Sequence, residues 1–281
     1  MLESAVICHQ GRVRERNEDS VLEERELGLW AVADGVGGNG HGDVASQLAV
    51  QILERRVRQG QSLIEGVQSA NQAILEAIEQ NPQFSGMATT LVACRFDDNH
   101  FELAWVGDSR AYFIDGTGIS QISEDHNEAN RLFSAGEIPI DEVGTHPGQH
   151  ELTQALGQLS LDQIPKSLGE LHDGDYLLLC SDGLSGYLPE TRIVEVIRQH
   201  REPGSAVKEL LEQVLSSGAP DNISIALIRY HAQPRVLSAS DFSGRGLRRS
   251  FDRRPYERHT GKRPWLLGLI LLAVVLVVVL V

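Results

Sequence analysis

Cysteine is scarce in this 281-residue chain: Cys8, Cys94 and Cys180 are the only three. So small and odd a number excludes a disulfide scaffold, and each sits in an apolar run, so they read as reduced core residues of a cytosolic domain. No Cys or His pair has the spacing of a zinc site. Met1 to Gln10 has neither a basic start nor a long apolar stretch, so no secretory leader is expected. Residues 1–231 show no internal repeat and no low-complexity stretch. Basic charge is also short, with 25 Lys and Arg against 39 Asp and Glu, a net charge of −14. The deficit is uneven. Residues 232–264 carry nine Lys or Arg against Asp241, Asp252 and Glu257, a net +6 that leaves −20 on the remainder. A body that acidic repels nucleic-acid phosphates, so nucleic acid is not an expected partner. It can instead concentrate divalent cations.

What is present divides the chain in three. Residues 265–281, WLLGLILLAVVLVVVLV, carry no charge. As a helix they would reach roughly 25 Å, slightly short of a ~30 Å hydrocarbon core. Trp265 stands where an interfacial aromatic belongs, and Lys262 and Arg263 can snorkel to headgroups. The valine content allows a buried helix or strand instead, but an uninterrupted apolar run at a terminus favours a transmembrane helix. The expectation is a single-pass tail anchor in the inner (cytoplasmic) membrane, with the preceding domain in the cytoplasm. Residues 232–264, rich in Ser, Gly, Arg and Pro, read as a basic flexible linker whose arginines can lie on anionic lipid. Residues 1–231 read as one domain. With 41% hydrophobic residues, the chain has enough apolar side chain to build a core.

Within that domain, strands are expected at Ser4 to His9, Leu27 to Ala33, Ala88 to Phe96, Phe101 to Val106, Ala111 to Ile114, Tyr176 to Cys180 and Ile223 to Arg229. Helices are expected at Asp43 to Gln59, Leu63 to Gln80, Glu190 to Gln199 and Ser205 to Ser216. Two long helices come in succession and several strands follow without helices between them. That order argues against a doubly wound parallel sheet and for an α+β arrangement of antiparallel sheets covered by helices.

Acidic residues recur at the ends of these strands: Ala33-Asp34-Gly35, Val106-Gly107-Asp108, Ser181-Asp182-Gly183 and Asp221-Asn222, with Arg14 and Asn17-Glu18-Asp19 near the start. One Asp-Gly after a strand is usually a turn. Several converging carboxylates repel one another, and a cation is the natural neutraliser. Oxygen-only ligands favour Mg²⁺ or Mn²⁺.

Taken in order, Gly11-x-x-Arg14-x-x-Asn17-Glu18-Asp19, Ala33-Asp34-Gly35-Val36-Gly37-Gly38, Met87-Ala88-Thr89-Thr90, Gly107-Asp108-Ser109-Arg110-Ala111-Tyr112, Asp125-His126, His146-Pro147, Leu152-Thr153-Gln154-Ala155-Leu156-Gly157, Ser181-Asp182-Gly183-Leu184 and Asp221-Asn222-Ile223-Ser224 resemble the bacterial branch of the type-2C metal-dependent protein phosphatases. The resemblance implies two stacked, mostly antiparallel sheets flanked by helix pairs, an α-β-β-α sandwich. It also implies hydrolysis of phosphoserine and phosphothreonine by water activated between two metal ions, without a covalent enzyme intermediate. Residue by residue, Asp34 matches the ligand that bridges the two ions, and Gly35 adds its backbone carbonyl. Asp182 and Asp221 complete the pair. Glu18 and Asp19 match residues that support the site directly or through water, Asp108 matches the ligand of a third, weaker metal, and Arg14 matches the arginine that grips the substrate phosphate. The implied partners are phosphorylated proteins, including a Ser/Thr kinase or its substrates at the membrane. On its residues alone, Arg14 is no different from the surface arginines Arg12 and Arg16.

Three positions depart from the family pattern. Asn39 stands where bacterial members often have histidine, with His41 two residues on. Val36 replaces a histidine that serves some members as general acid, and Ala88 replaces a common glycine. The group that protonates the leaving oxygen is therefore open between His41, a metal-bound water and another residue, and His41 reads equally well as a surface residue. Residues 127–150 match the family's variable flap. The competing reading is a catalytically weak or dead, membrane-tethered phosphoprotein-binding module. The presence of every matching carboxylate speaks against it. A two-metal nuclease is disfavoured by the acidity of the domain.

Overall fold

Side chains that are apolar on both faces of a strand place it in the middle of a sheet. The run Leu29 to Ala33 is of that kind, as are Leu91 to Cys94, Leu103 to Val106, Tyr176 to Cys180 and Ile225 to Ile228, all buried. In the computed structural model, which describes residues 1–37, 41–159, 161 and 163–232, these runs become the inner strands of two antiparallel sheets. The strands are β1 (Leu2–His9), β2 (Asp19–Glu24), β3 (Leu29–Val36), β4 (Ala88–Thr89), β5 (Leu91–Asp97), β6 (His100–Val106), β7 (Arg110–Ile114), β8 (Ile119–Gln121), β9 (Lys166–Glu170), β10 (Tyr176–Cys180) and β11 (Ile223–Tyr230). One sheet runs β1-β11-β10-β7-β8 and the other β2-β3-β5-β6-β9, with β4 paired to β3. The helices are α1 (Gly42–Arg58), α2 (Leu63–Gln80), α3 (Glu128–Ser134), α4 (Ile140–Val143), α5 (Asp182–Ser185), α6 (Glu190–Gln199) and α7 (Pro203–Ser216).

Strand periodicity divides the core into three layers. Leu29, Ala31 and Ala33 of β3 pack with Ala49 and Leu53 of α1 and Val67 and Ile74 of α2. Their neighbours Trp30 and Val32 face the other way and meet Leu177 and Leu179 of β10 and Ala226 and Ile228 of β11 between the sheets. Leu178 and Cys180 then turn outward onto Ile193 and Ile197 of α6 and Leu210 and Val214 of α7. Each such fully buried aliphatic side chain contributes about 1.5–3 kcal/mol of transfer free energy. The expected α-β-β-α sandwich is therefore the observed one.

At α2 the helix boundary follows the capping chemistry. Ser62 and Glu65 form a reciprocal capping box at α2, so this helix begins at Leu63 as expected. Several strand boundaries differ by one or more residues, and two of the differences have a clear local cause. Arg25–Leu27 is a 3-10 turn closed by Gly28 at φ 62°, which moves the start of β3 to Leu29. The single strand expected over Ala88 to Phe96 is broken at Thr90, whose amide and hydroxyl are both committed to Asp34. Of the three cysteines, Cys94 and Cys180 lie in the core and all three are free, but Cys8 is only half buried and sits against polar groups. Among the described residues no helix is long and apolar enough to cross a membrane. Residues 233–264 of the linker, the apolar segment 265–281 and Asn39 lie outside the described residues.

One polar cluster holds the inner sheets to the loop that follows them. Arg110 donates from Nε and Nη2 to the Asp125 carboxylate at 2.7–3.1 Å, and Gln121 donates to the same carboxylate at 2.7 Å. Asp125 is 6% exposed. Burial works against the Arg110 charge, but Asp125 more than offsets it and the guanidinium stays protonated. Breaking a buried pair strands the surviving charge. Asp125→Ala is accordingly expected to lower the unfolding free energy by about 3–5 kcal/mol in urea titrations. Arg131→Ala, which removes the exposed pair with Glu128, should leave the curve unmoved. Equal effects of the two changes would contradict this assignment.

Candidate active site

Asp19 on β2 and Asp34 on β3 are direct cross-strand partners. Like charges opposite one another destabilise an antiparallel pair, yet the surrounding backbone holds both in place. The Asp34 amide donates to Thr90 Oγ1 at 3.0 Å, and its carbonyl accepts from the Thr90 amide at 2.8 Å and from Thr89 Oγ1 at 2.9 Å. Thr90 is fixed in turn by Ser109, 2.7 Å away. Behind Asp34 the chain leaves no room for a side chain. A Cβ on Gly35 would meet the Gly42 carbonyl oxygen at 2.3 Å and the Glu18 carbonyl oxygen at 2.4 Å. The Gly35 amide donates to that Glu18 carbonyl at 3.1 Å, so the segments carrying Glu18, Gly35 and the start of α1 touch backbone to backbone.

The remaining carboxylates arrive from the other sheet and from the β6–β7 turn. Asp182 opens α5 directly after β10, and a Cβ on Gly183 would lie 1.7 Å from the Asn222 carbonyl oxygen, so this turn rests on the residues preceding β11. Asp221 immediately precedes β11. Asp108 follows Gly107, whose φ of +104° and close approach to Thr90 admit only glycine. Asp34, Asp19, Asp182, Asp108 and Asp221 thus come together, as their mutual electrostatic effect on Asp34 records.

Crowding and dryness shift these groups. Burial, then the charges of Asp19, Asp182, Asp108 and Asp221, push the Asp34 carboxyl well above the usual range. Burial raises Asp108 to about 7, with Asp182 and Asp125 adding to it. Asp19 is raised to about 6 by burial, partly offset by hydrogen bonds from Ser224 and Ser181. Asp182 is raised by burial and by Asp221.

Arg14 stands at the rim on an exposed loop, 53% accessible, and donates to Asp221 Oδ2 at 2.8 Å. It also feels the charges of Asp34 and Glu18, so the structure brings all the expected site residues into one neighbourhood. His41 caps α1 without a side-chain hydrogen bond and packs edge-on against Phe84, with ring centroids 5.2 Å apart. The flap of residues 127–150 folds into α3, α4 and a 3-10 turn, and His126 ties its base to Gly107 beside Asp108.

Several participants carry no sequence signal of their own. Ser181 Oγ donates to Asp19 Oδ2 at 2.9 Å and accepts from the Ser224 amide at 3.0 Å. Cys8 Sγ accepts from Asn17 Nδ2 at 3.0 Å. Tyr187, 41% exposed, lies within electrostatic reach of Asp221, Asp182 and Arg14. All these sit inside or beside the quoted motifs, and only the fold shows what they touch.

The donor set suits a hard divalent cation. It is made of oxygens alone, and Asp19 Oδ1 is buried without a hydrogen-bond partner. Among the described residues no three Asp, Glu, His or Cys side chains form a closed cage for an ion; the carboxylates are neighbours close enough to feel one another's charge.

A family model described as Protein phosphatase 2C matches residues 12–222. Serine/threonine phosphatase stp of Listeria monocytogenes serovar 1/2a is 32% identical over 244 residues, covering 82% of this chain and 97% of that protein. Serine/threonine protein phosphatase PstP of Mycobacterium tuberculosis is 34% identical over 233 residues, 81% of this chain and 45% of that protein. The crystal structure of the Mycobacterium tuberculosis phosphatase PstP/Ppp superposes with a TM-score of 0.75 at 34% identity, covering 82% of this chain and 99% of that one. The PstP catalytic domain in complex with two manganese ions gives 0.72 at 32% identity, covering 82% and 99%.

The raised carboxyls set a sign for pH dependence. A carboxyl with a folded pKa above its unfolded value binds more protons in the folded state, so its contribution to stability is lost as pH rises from about 4 towards 7. A cation that binds the ionised cluster reverses that loss. The rise in Tm produced by Mn²⁺ over EDTA is therefore expected to be larger at pH 7.5 than at pH 5, and Asp34→Asn should flatten the difference. A metal-induced rise independent of pH in the unmutated protein would overturn the reading.

Proposed function

Because the chain belongs to the protein phosphatase 2C family, we propose that its aspartate cluster holds two divalent ions and serves a phosphatase working at the cytoplasmic face of a membrane. The protein is a metal-dependent protein-serine/threonine phosphatase that uses Mn²⁺ or Mg²⁺. The observation that carries the site assignment is the crowding of Asp34 with four other aspartates, whose mutual repulsion a divalent cation would relieve. Asp34, Asp182, Asp221 and the Gly35 carbonyl would hold the two ions, Glu18 and Asp19 would support them directly or through water, and Asp108 would take a third, weaker ion. When bound, the ions supply an activated water and offset charge on the transferring phosphoryl group.

The chain's own part is positioning. Arg14 offers a planar fork that matches two phosphate oxygens. In the structure Nη2 of that fork donates to Asp221; with Asp221 holding an ion, the guanidinium would be available to a phosphate. Cys94 and Cys180 take no part: both are in the core, and burial pushes their thiols up, Cys180 to about 12. His41 packs on Phe84, which favours a surface packing role over that of leaving-group acid.

The organisation proposed is a phosphatase domain over residues 1–231, a basic linker over 232–264 and a tail anchor over 265–281. Its support is the uncharged terminal run and the basic flank beside it. Tethering would raise the effective concentration of the enzyme near phosphorylated membrane proteins, including Ser/Thr kinases and their substrates.

Two measurements check this reading. Phosphate release from a phosphothreonine peptide should require Mn²⁺ or Mg²⁺, vanish in EDTA, and fall by at least ~10³-fold in an Asp34→Asn/Asp221→Asn double variant. A folded full-length protein without turnover at any metal concentration would return the choice to a phosphoprotein-binding module. In cells, the full chain should sediment with membranes through a high-salt wash, whereas a chain ending at Ala232 should be released. Equal distribution of the two would refute the anchor.

A further inference from the structure

The segment that presents Arg14 is not part of any strand or helix, yet its reach must be fixed for its guanidinium to meet a phosphate. Three hydrogen bonds from one buried side chain contribute to this. Asn222, 6% exposed, donates from Nδ2 to the Gln10 carbonyl at 2.8 Å and to the Arg16 carbonyl at 3.0 Å, and its Oδ1 accepts from the Glu18 amide at 2.8 Å. It thereby bonds to residues on both sides of Arg14 and to the backbone of Glu18. Its own amide donates to Asp221 Oδ1 at 2.9 Å, so the pin that holds the arginine loop also orients the carboxylate that Arg14 engages.

Other pins hold the first half of the loop. The Arg12 amide donates to the Ala219 carbonyl at 2.9 Å, and Gly11, at φ +79°, would drive a Cβ to 2.1 Å from the Asp221 carbonyl oxygen. Gln10 Nε2 donates to the Arg14 carbonyl at 2.7 Å, and Gln10 is itself bonded through its carbonyl to Asn222. Arg12, Val13, Arg14, Glu15 and Arg16 are all exposed, so packing does not hold them. Between Arg14 and Glu18, Asn222 holds the Arg16 carbonyl and the Glu18 amide, while the Glu18 carbonyl is held by Gly35 and Ser46 and the Asn17 side chain rests on Cys8 Sγ.

We propose that Asn222 is a positioning residue for substrate phosphate, acting through Arg14. It sets the distance between the guanidinium and the aspartate cluster, and it does so without touching substrate or metal. The proposal rests on the phosphatase reading given above. Asp221 with Asn222 thus forms one unit in which the first residue faces the metal and the second fixes the phosphate-gripping loop.

Full-length Asn222→Ala and Asn222→Asp variants test this, alone and combined with Arg14→Ala. Asn222→Asp keeps an acceptor for the Glu18 amide and loses both donors, so it isolates the bonds to Gln10 and Arg16. The loop's first-end pins and the core are untouched, so both variants should unfold in a single cooperative transition. Amide hydrogen exchange should speed up across residues 12–17 while staying unchanged at Thr89 to Leu91. Mn²⁺ affinity by calorimetry should stay within about twofold, while KM for the phosphopeptide and the inhibition constant of inorganic phosphate rise about tenfold, a loss typical of a misplaced positioning group. Arg14→Ala should then cost much less in either Asn222 background than in the unmutated protein, since groups acting as one unit are not additive.

Additive effects of the two residues would overturn the proposal, as would a fall in Mn²⁺ affinity that matches the loss of activity. Unchanged exchange in the loop would do so even for a protein with no turnover. Absence of turnover in the unmutated protein, with the loop loosened as expected, would overturn the phosphatase reading alone.

Discussion

Five aspartate side chains crowd a half-buried region in which burial and mutual repulsion work against ionisation of Asp19, Asp34, Asp108 and Asp182. Every nearby feature of the fold answers that constraint. Asp19 and Asp34 face each other across two strands, a pairing that the β2–β3 ladder must hold against repulsion. Thr89, Thr90 and Ser109 fix the backbone on one side of Asp34, and Ser181 and Ser224 hold Asp19 on the other. Glycines at 35, 107 and 183 let main chains approach more closely than any side chain would allow. The protein spends folding free energy on an arrangement whose return comes when cations arrive, a common bargain at functional sites.

The middle of each sheet was readable from the sequence and the edges were not. Tyr176 to Cys180 and Leu63 to Gln80 were expected with the boundaries the structure shows, because one is apolar on both faces and the other has helical spacing and a cap. Three of the four sheet edges, β2, β8 and β9, carried no such pattern. Asp19–Glu24 is half acidic, Ile119–Gln121 is three residues long, and Lys166–Glu170 points Leu168 into solvent at 69% exposure. Short and charged edges discourage sheets from pairing with other molecules, and the same property hides them from a search for alternation. The break at Thr90 was invisible for a different reason: it arises from Asp34, fifty-six residues away.

In the site, charge was legible and its scaffolding was not. The aspartates stood out because each follows an apolar strand, and the resemblance named their order. Neutral residues such as Asn222, Ser181 and Thr90 leave no periodic trace, and their partners come from the far ends of the chain. Cys8 misled in the opposite sense. An apolar run suggested core, but the register of β1 turns its sulfur toward Asn17 and Ser224 at the floor of the site.

The first and last strands of the domain lie side by side: β1 pairs with β11 along its whole length, and Met1 and His231 exchange hydrogen bonds. Arg14, Glu18 and Asp19 follow the first of these strands, and Asp221 comes just before the second. Closing a loop of this length costs chain entropy before any contact rewards it, and folds rich in such pairings form slowly. On the ribosome, the catalytic centre therefore has no partial version. A nascent chain carries the Arg14 loop almost from the outset, yet Asp221 and Asn222, which hold it, emerge some two hundred residues later.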